Sequence, residues 1–597
     1  MSSTSDAAAG SFPPDPHDPA DPPGGAGWTS RTGPPEPLDP SEQVSTAGPP
    51  PPALVPPARA EQLRAASVDW PSVTLDPFQL ADLELLLLGV FGPAPGYPGH
   101  GEADDPPMPA LIVDAEVAAS LEAGTTVALR DREGVMLAAL TLRAVEPVPG
   151  EDGPAGDGTP ARVRLVGTIE GVELPHHPDY PELRLTPTQV WEELTARGWT
   201  APGATPPWAV WADGLLHTAD VSRIRAITRQ GKHCVILAPV GGADPADANH
   251  HLRIRCLLAA LDAIDAQPRP AEATLAGEPI ASDAVSKEGA RHHTEFPPDP
   301  LRARAPRRHR SLLVLVPVAP SPQLAVPREP GMSATSPQGA PVSAGTGGRA
   351  MDETAALISL RAHLAQAYGC SGSLTGPAIG TPSPEELMSL LDAGSPIPAE
   401  LTPPAVAAEL TRAIPPRSRR GLTVFFTGLS GSGKSTLAGL LACRLLERGR
   451  RVTLLDGDVV RTHLSRGLGF SRADRETNVR RIGFVAAEVA AAGGTAVCAP
   501  IAPYASVRAE ARQMTLARGG GFVLVHVSTP LEECERRDRK GLYAKARAGV
   551  LPAFTGISDP YEEPADAEVV VDTSQLSPDE AVGRILDYLR AEGWVTS

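Results

Sequence analysis

The stretch Thr427–Thr436, reading TGLSGSGKST, constrains this chain more than any other segment. It fits G-x-x-x-x-G-K-[ST], a phosphate-binding loop. The apolar run Leu422-Thr423-Val424-Phe425-Phe426 before it predicts a buried strand. Leu437, Leu440, Leu441 and Leu445 after it predict one apolar face of a helix. Strand, glycine loop and helix in that order make an anion cradle. Glycines let backbone N–H groups converge on phosphate oxygens, and the helix N-terminus adds partial positive charge. The expected ATP-binding residues are therefore Gly428, Leu429, Ser430, Gly431, Ser432, Gly433, Lys434, Ser435 and Thr436. Lys434 is the expected catalytic cation for the β/γ-phosphates, and Ser435 the expected Mg²⁺ ligand.

The 597 residues leave room for about two to four domains. Pro and Gly are unevenly spread. Residues 1 to 60 are mostly Pro, Gly, Ala, Ser and Asp, which bury too little apolar surface to offset their ordering entropy. A second such region runs over about 267–349, broken by the apolar run Ser311–Val316. A disordered tail and a disordered insertion are expected there. The net charge of −18 argues against nucleic acid as a partner. The basic run LRARAPRRHR (301–310) reads as solvated charge. Six scattered cysteines, with no C-x-x-C pair, read as thiols in a reducing cytosol. No apolar run reaches spanning length and no signal-peptide core is present. A cytoplasmic protein with no membrane partner is expected.

From Arg419 onward, short apolar runs alternate with helical patterns. The runs are 451–455, 495–499, 522–527 and 568–571, and they predict an α/β domain with a mostly parallel sheet. Ligands of such sheets lie at the carboxyl ends of the strands, where Asp456-Gly457-Asp458 falls. These carboxylates suit Mg²⁺ or a substrate hydroxyl, or else a helix-capping turn. The arginines of RADRETNVRR (472–481) suit an anionic second substrate. The charged segment around Gly541 suits a lid over the phosphates.

At this point the residues resemble a known family. FFTGLSGSGKST, LDGDVVR, LGFSRADRETNVRRIG, TPLEECERRDRKGLYAKARAG and FTGISDPYEEP are similar to the motifs of adenylyl-sulfate (APS) kinases, in order, across nearly all of 420–573. The resemblance implies transfer of the ATP γ-phosphate to the 3′-hydroxyl of APS in sulfate assimilation, giving PAPS. It implies catalytic roles for Lys434, Asp456 and Asp458. It implies an APS site of Asp458, Arg461, Phe470, Arg475, Asn478, Ile501, Lys540, Leu542 and Phe554, with the two phenylalanines sandwiching adenine. Two positions depart from the family pattern. Val459 stands where Asn is usual, and Ile501-Ala502-Pro503-Tyr504-Ala505 stands for I-S-P-[YHF]-R. Ala502 has no hydroxyl to carry a phosphoryl group, and direct in-line transfer needs none. Loss of Arg at 505 is expected to weaken substrate binding, although Arg508 remains nearby.

Residues 65–410 resemble ATP sulfurylase more faintly. The similar segments are LADLELLLLGVFGPAPGYPG (80–99), GTTVALRDREGVMLAALTL (124–142) and PVGGADPADANHHLRIRCLLAAL (239–261). That family carries Q-x-R-N-P-x-H-x-x-H. Here Trp211–Asp220 keeps only His217, with Asp213 where a sulfate-binding Arg belongs. The family's second motif, G-R-D-H-A, is replaced by Thr375–Gly380. The expected organisation is a tail (1–60), a β-rich sulfurylase-like domain (65–175), a degenerate catalytic-like domain with its insertion (176–410), and an APS kinase domain (419–597). The alternatives are a bifunctional sulfate adenylyltransferase/APS kinase and a nucleotide-binding regulatory protein. Both families imply a homodimer or larger assembly.

Overall fold

The computed structural model describes residues 48–99, 106–148, 162–265, 311–320, 350–469, 471–538, 541–551 and 553–596; side chains at 350–354, 458, 459 and 461 fall outside that description. Three sheets organise them. The expected tail (1–60) and insertion (about 267–349) lie mostly outside the described residues; within them, residues 48–60 and 311–320 are described.

Residues 48–60 are folded. The N–H of Ala53 donates to the Leu87 carbonyl and that of Val55 to Gly171, each at 2.8 Å. Helix α1 (Pro57–Ala66) follows, with Pro at its start, where a missing N–H costs nothing. It buries Ala60 and Leu63. Strand β1 (Ser72–Thr74) and helix α2 (Pro77–Leu87) come next. Asp76 and Gln79 close a reciprocal capping box on α2. After β2 (Gly96–Tyr97), β3 (Leu111–Asp114) and α3 (Ala115–Ala118) come β4 (Thr126–Arg130), β5 (Met136–Pro147) and β6 (Arg162–Gly171). The sheet order is β1-β4-β5-β6-β2, with β3 also paired to β6. Leu83, Leu86 and Leu87 of α2 close its core against Val127, Leu140 and Leu165.

The second sheet is parallel throughout, in the order β10-β7-β8-β9. Its elements are α4 (Pro187–Ala196), β7 (Trp208–Trp211), α5 (Thr218–Arg229), β8 (Cys234–Pro239), α6 (Ala248–Asp265), β9 (Ser311–Val316), α7 (Ala350–Ala367) and β10 (Gly372–Leu374). Parallel sheets need cover on both faces, and this one has it. Ile254 and Leu257 of α6 pack on one face, and Val190 of α4 with Leu364 of α7 on the other. The run Ser311–Val316 inside the expected insertion is therefore a strand, buried along its length and paired to β8 over six residues. Its continuous apolar character fits a strand covered on both sides. Helices α8 (Pro384–Ala393) and α9 (Pro404–Ala413) complete this unit.

The third sheet has the order β12-β13-β11-β14-β15, all parallel. Its strands are β11 (Leu422–Thr427), β12 (Val452–Leu455), β13 (Thr495–Cys498), β14 (Gly521–Val527) and β15 (Val569–Val571). Its helices are α10 (Lys434–Glu447), α11 (Gly457–His463), α12 (Arg472–Ala491), α13 (Ala505–Ala517), α14 (Leu531–Arg537), α15 (Leu542–Arg547) and α16 (Pro578–Ala591). The apolar runs read from sequence match these strands to within one residue at each end. Every residue of the central strand β11 is buried, so the loop leaving it is fixed at its root. An ion-paired turn precedes the sheet: Asp392 of α8 is ion-paired with Arg417 at 2.9 Å and accepts from Arg420 at 2.7 Å. All six cysteines are free, five of them buried and Cys443 exposed. Among the described residues, no helix is long and apolar enough to cross a membrane.

Candidate active site

The loop from Gly428 to Gly433 links β11 to α10. Gly428, Gly431 and Gly433 hold φ of +149°, +74° and +103°, where a side chain is strained. A Cβ on Gly428 would also meet the Val527 carbonyl at 2.6 Å. Lys434 is buried at the first position of α10. Its ammonium donates to the Leu429 carbonyl at 2.7 Å and approaches Ser432 Oγ at 3.4 Å. Burial pulls its pKa from 10.5 down to about 8. Ser432 is anchored from behind, its carbonyl accepting from the hydroxyls of Thr529 and Thr573. Ser435 and Thr436 are exposed on the following turn.

The Ser435 hydroxyl donates to Asp456 Oδ1 at 2.9 Å, and the same oxygen accepts from the Gly457 N–H at 2.7 Å. Asp456 thus caps α11 and faces the phosphate loop at once. This pair fits Mg²⁺, which takes a hydroxyl, one or two carboxylates and waters around substrate phosphates. Asp458 and Arg461 lie on α11 beside the pair, their side chains outside the described residues. Phe470 and Lys540 are also outside the described residues.

The arginines of the 472–481 run separate by burial. Arg472 pairs with Glu476, Arg480 pairs with Glu510, and Arg481 donates to the Leu464 carbonyl. These are surface contacts of small energetic weight. Arg475 alone turns inward, its side chain 15% exposed. Its Nη1 donates to Thr555 Oγ1 and Asp559 Oδ2, each at 2.9 Å. Asn478, one turn further on α12, accepts from the Ser465 hydroxyl. Phe554 is half-buried, with Tyr543 edge-on to its ring at 5.1 Å.

Ile501 sits at the carboxyl end of β13. Its carbonyl accepts from the Thr427 hydroxyl at 2.8 Å and from the Gly428 N–H at 3.3 Å. Ala502 is buried at φ +45°. Its carbonyl accepts from Arg508 Nη1 at 2.8 Å. The other Arg508 terminus donates to the Glu562 carbonyl at 2.8 Å. Arg508 is thus committed inside the protein and does not replace a cation at Ala505. Leu542 opens α15, its N–H held by the Asp538 carboxylate at 2.8 Å. The next residue, Tyr543, donates its hydroxyl to the Ser430 carbonyl at 2.8 Å. That bond joins the start of α15 to the phosphate loop. Tyr543, Tyr504, Thr555 and Asp559 were given no role in the sequence reading. Their only signal was membership of the quoted motif stretches.

The two altered sulfurylase-like segments meet. A cavity of about 100 Å³ is lined by Trp211–His217, Asp220 and Arg223 together with Gly376, Pro377, Thr381 and Leu387. The carboxylates do not stand open toward an anion but are paired inside the protein. Buried Asp213 is paired with Arg361, at 2.8 Å to Nη1. Asp220 accepts from the His217 N–H at 3.1 Å and the Ala378 N–H at 2.8 Å. His217 Nδ1 lies 2.9 Å from Thr402 Oγ1, and burial lowers its pKa. Arg223 donates to the Gly376 carbonyl at 2.7 Å. The histidines of ANHHLRIR are engaged too: His250 bonds Asp179 at 2.8 Å, and His251 Nε2 lies 2.7 Å from the Pro245 carbonyl. The charged groups around this cavity hold the fold together.

Residues 420–572 match the adenylylsulphate kinase family. A sulfate adenylyltransferase of Emericella nidulans is 32% identical over 583 residues, covering 90% of this chain and 96% of that protein. One from Aspergillus terreus is 33% identical over 574 residues, with the same coverage. Among solved structures, a hexameric APS kinase from Thiobacillus denitrificans superposes with a TM-score of 0.65 and 31% identity, covering 91% of this chain and 98% of that one.

Proposed function

Because the chain belongs to the sulfate adenylyltransferase family and carries its adenylylsulphate kinase domain, we propose that it works as an APS kinase, moving the ATP γ-phosphate to the 3′-hydroxyl of APS. One observation carries this reading: Lys434 is buried against the Leu429 carbonyl beside the Ser435–Asp456 pair, at the root of a fixed phosphate loop. ATP lies with its phosphates along the N–H groups of 428–436, over the positive end of α10. Lys434 draws charge off the β/γ-phosphates as the transferred group loosens. Ser435 and Asp456 would hold Mg²⁺, which supplies charge neutralisation between the same phosphates when bound. Asp458 is assigned to the acceptor hydroxyl. Arg461, Arg475 and Asn478 are assigned to the anionic end and ribose of APS, Phe470 and Phe554 to its adenine, with Ile501 and, from the lid, Lys540 and Leu542 completing the APS site. Transfer is in line, from the ATP terminal phosphorus to the 3′-oxygen, with ADP leaving. The reading places the protein in the cytoplasm as an assembly of two or more copies.

The domain boundaries are kept as read from the sequence, with residues 48–60 and β9 taken as folded. The relatives' shared name favours a second reading, sulfate adenylation in the amino-terminal half. The internally paired groups around its cavity support the single-activity reading instead. The deciding assay gives the whole chain MgATP with APS or with sulfate and pyrophosphate. Production of PAPS is expected, and Lys434→Ala is expected to slow it by about a thousandfold or more. Equal turnover of wild type and Lys434→Ala would end the kinase reading.

A further inference from the structure

We propose that Asp559 and the Tyr504 hydroxyl are positioning residues that set the plane of the Arg475 guanidinium for the sulfated end of APS; the proposal deepens the kinase reading and rests on it. Arg475, Tyr504 and Asp559 come from three separate places: α12, the turn before α13, and the segment after Phe554. They converge on one oxygen. Asp559 Oδ2 accepts from Arg475 Nη1 at 2.9 Å and from the Tyr504 hydroxyl at 2.8 Å. Buried Thr555 takes the same Arg475 nitrogen at 2.9 Å. The anchor therefore engages one end of the guanidinium. Nε and Nη2, the other edge, are enclosed with no partner among the described residues. Buried donors without an acceptor are costly, and an Nε–Nη2 edge suits two oxygens of a sulfate or phosphate.

Tyr504 is itself held. Its ring is buried, and the Arg472 guanidinium lies 4.4 Å from its centroid. The carboxylate also belongs to the turn that carries Phe554, whose carbonyl accepts the N–H groups of Ile557, Ser558 and Asp559. A base stacked on Phe554 and an anion held by Arg475 are then referenced to one rigid turn. That arrangement measures the distance from base to 5′-anion, and it would discriminate APS from nucleotides with a shorter or longer anionic arm.

The test uses the full-length chain, with Asp559→Asn and Tyr504→Phe, alone and combined with Arg475→Ala. Asp559→Asn is expected to raise KM for APS about tenfold, and Tyr504→Phe about threefold, with kcat moving less. KM for ATP and the thermal midpoint are expected to stay near wild type. In the Arg475→Ala background, Asp559→Asn is expected to change KM for APS less than about twofold, because its effect passes through the arginine. Additive losses, or equal losses for ATP and APS, would overturn the proposal and make Asp559 a structural residue. If Asp559→Asn does not fold, the Tyr504→Phe cycle decides on the same criterion. A wild-type chain that fails to phosphorylate APS would refute the kinase reading; an active wild type with unchanged Asp559→Asn would refute only this inference.

Discussion

Lys434 carries a consequence for pH. Burial holds its pKa near 8 without a nucleotide, against 10.5 in the unfolded chain. Between those values folding strips a proton, so this group adds stability to the unliganded protein as pH rises from about 8 toward 10.5. Phosphates restore the charge. Binding of MgATP should therefore take up a proton in that window, and affinity should fall as pH climbs through 8. Titration calorimetry in two buffers of different ionisation enthalpy checks this: the heats should differ at pH 9 and agree more closely at pH 7. Identical heats at pH 9 would contradict the assignment. Ala502 makes a second prediction. Its carbonyl is fixed by Arg508 and it has no hydroxyl, so γ-labelled ATP should leave no stoichiometric label on the denatured protein. Label that chases into product on adding APS would refute direct transfer. The motif residues were legible one by one, since spacing alone defines the loop. The family resemblance singled out Arg475; residue type and spacing alone did not separate it from its neighbours, because only tertiary burial distinguishes a clamp from a surface charge.

At the scale of elements, the strand–loop–helix root was readable because its apolar periods switch cleanly at Gly428. Strand β9 was half-readable: its apolar run was visible, but the surrounding Pro-rich composition argued against order. The amino-terminal cavity shows where sequence fails. Local sequence shows no partner for Asp213, because Arg361 lies 148 residues away on α7. With Asp213 and Asp220 committed internally, the cavity offers few groups to clamp sulfate or stabilise departing pyrophosphate. No sulfate-dependent ATP–pyrophosphate exchange is expected from the whole chain. Robust exchange would promote the bifunctional reading.

For the whole molecule, the seam before the third sheet is ionic and narrow. Asp392 meets Arg417 and Arg420, and Arg417 also lies 5.5 Å from the Trp594 ring centroid. A fragment beginning near residue 415 keeps both arginines and the entire β11–β15 core. It should be soluble and active, with circular dichroism and APS turnover as the readouts; an unfolded fragment would mean that the halves share a core. The second sheet is built on a different schedule. Ser371, at the start of β10, bonds Pro207, at the start of β7, across 164 residues of chain. Protein synthesis runs at about 5–20 residues per second, so β7 waits roughly ten to thirty seconds for its outer neighbour. During that interval a hydrophobic strand edge stands open on the ribosome. The yield of this protein in a foreign host is then expected to depend on how fast translation crosses residues 208–374, and to rise when a co-expressed chaperone shields that edge.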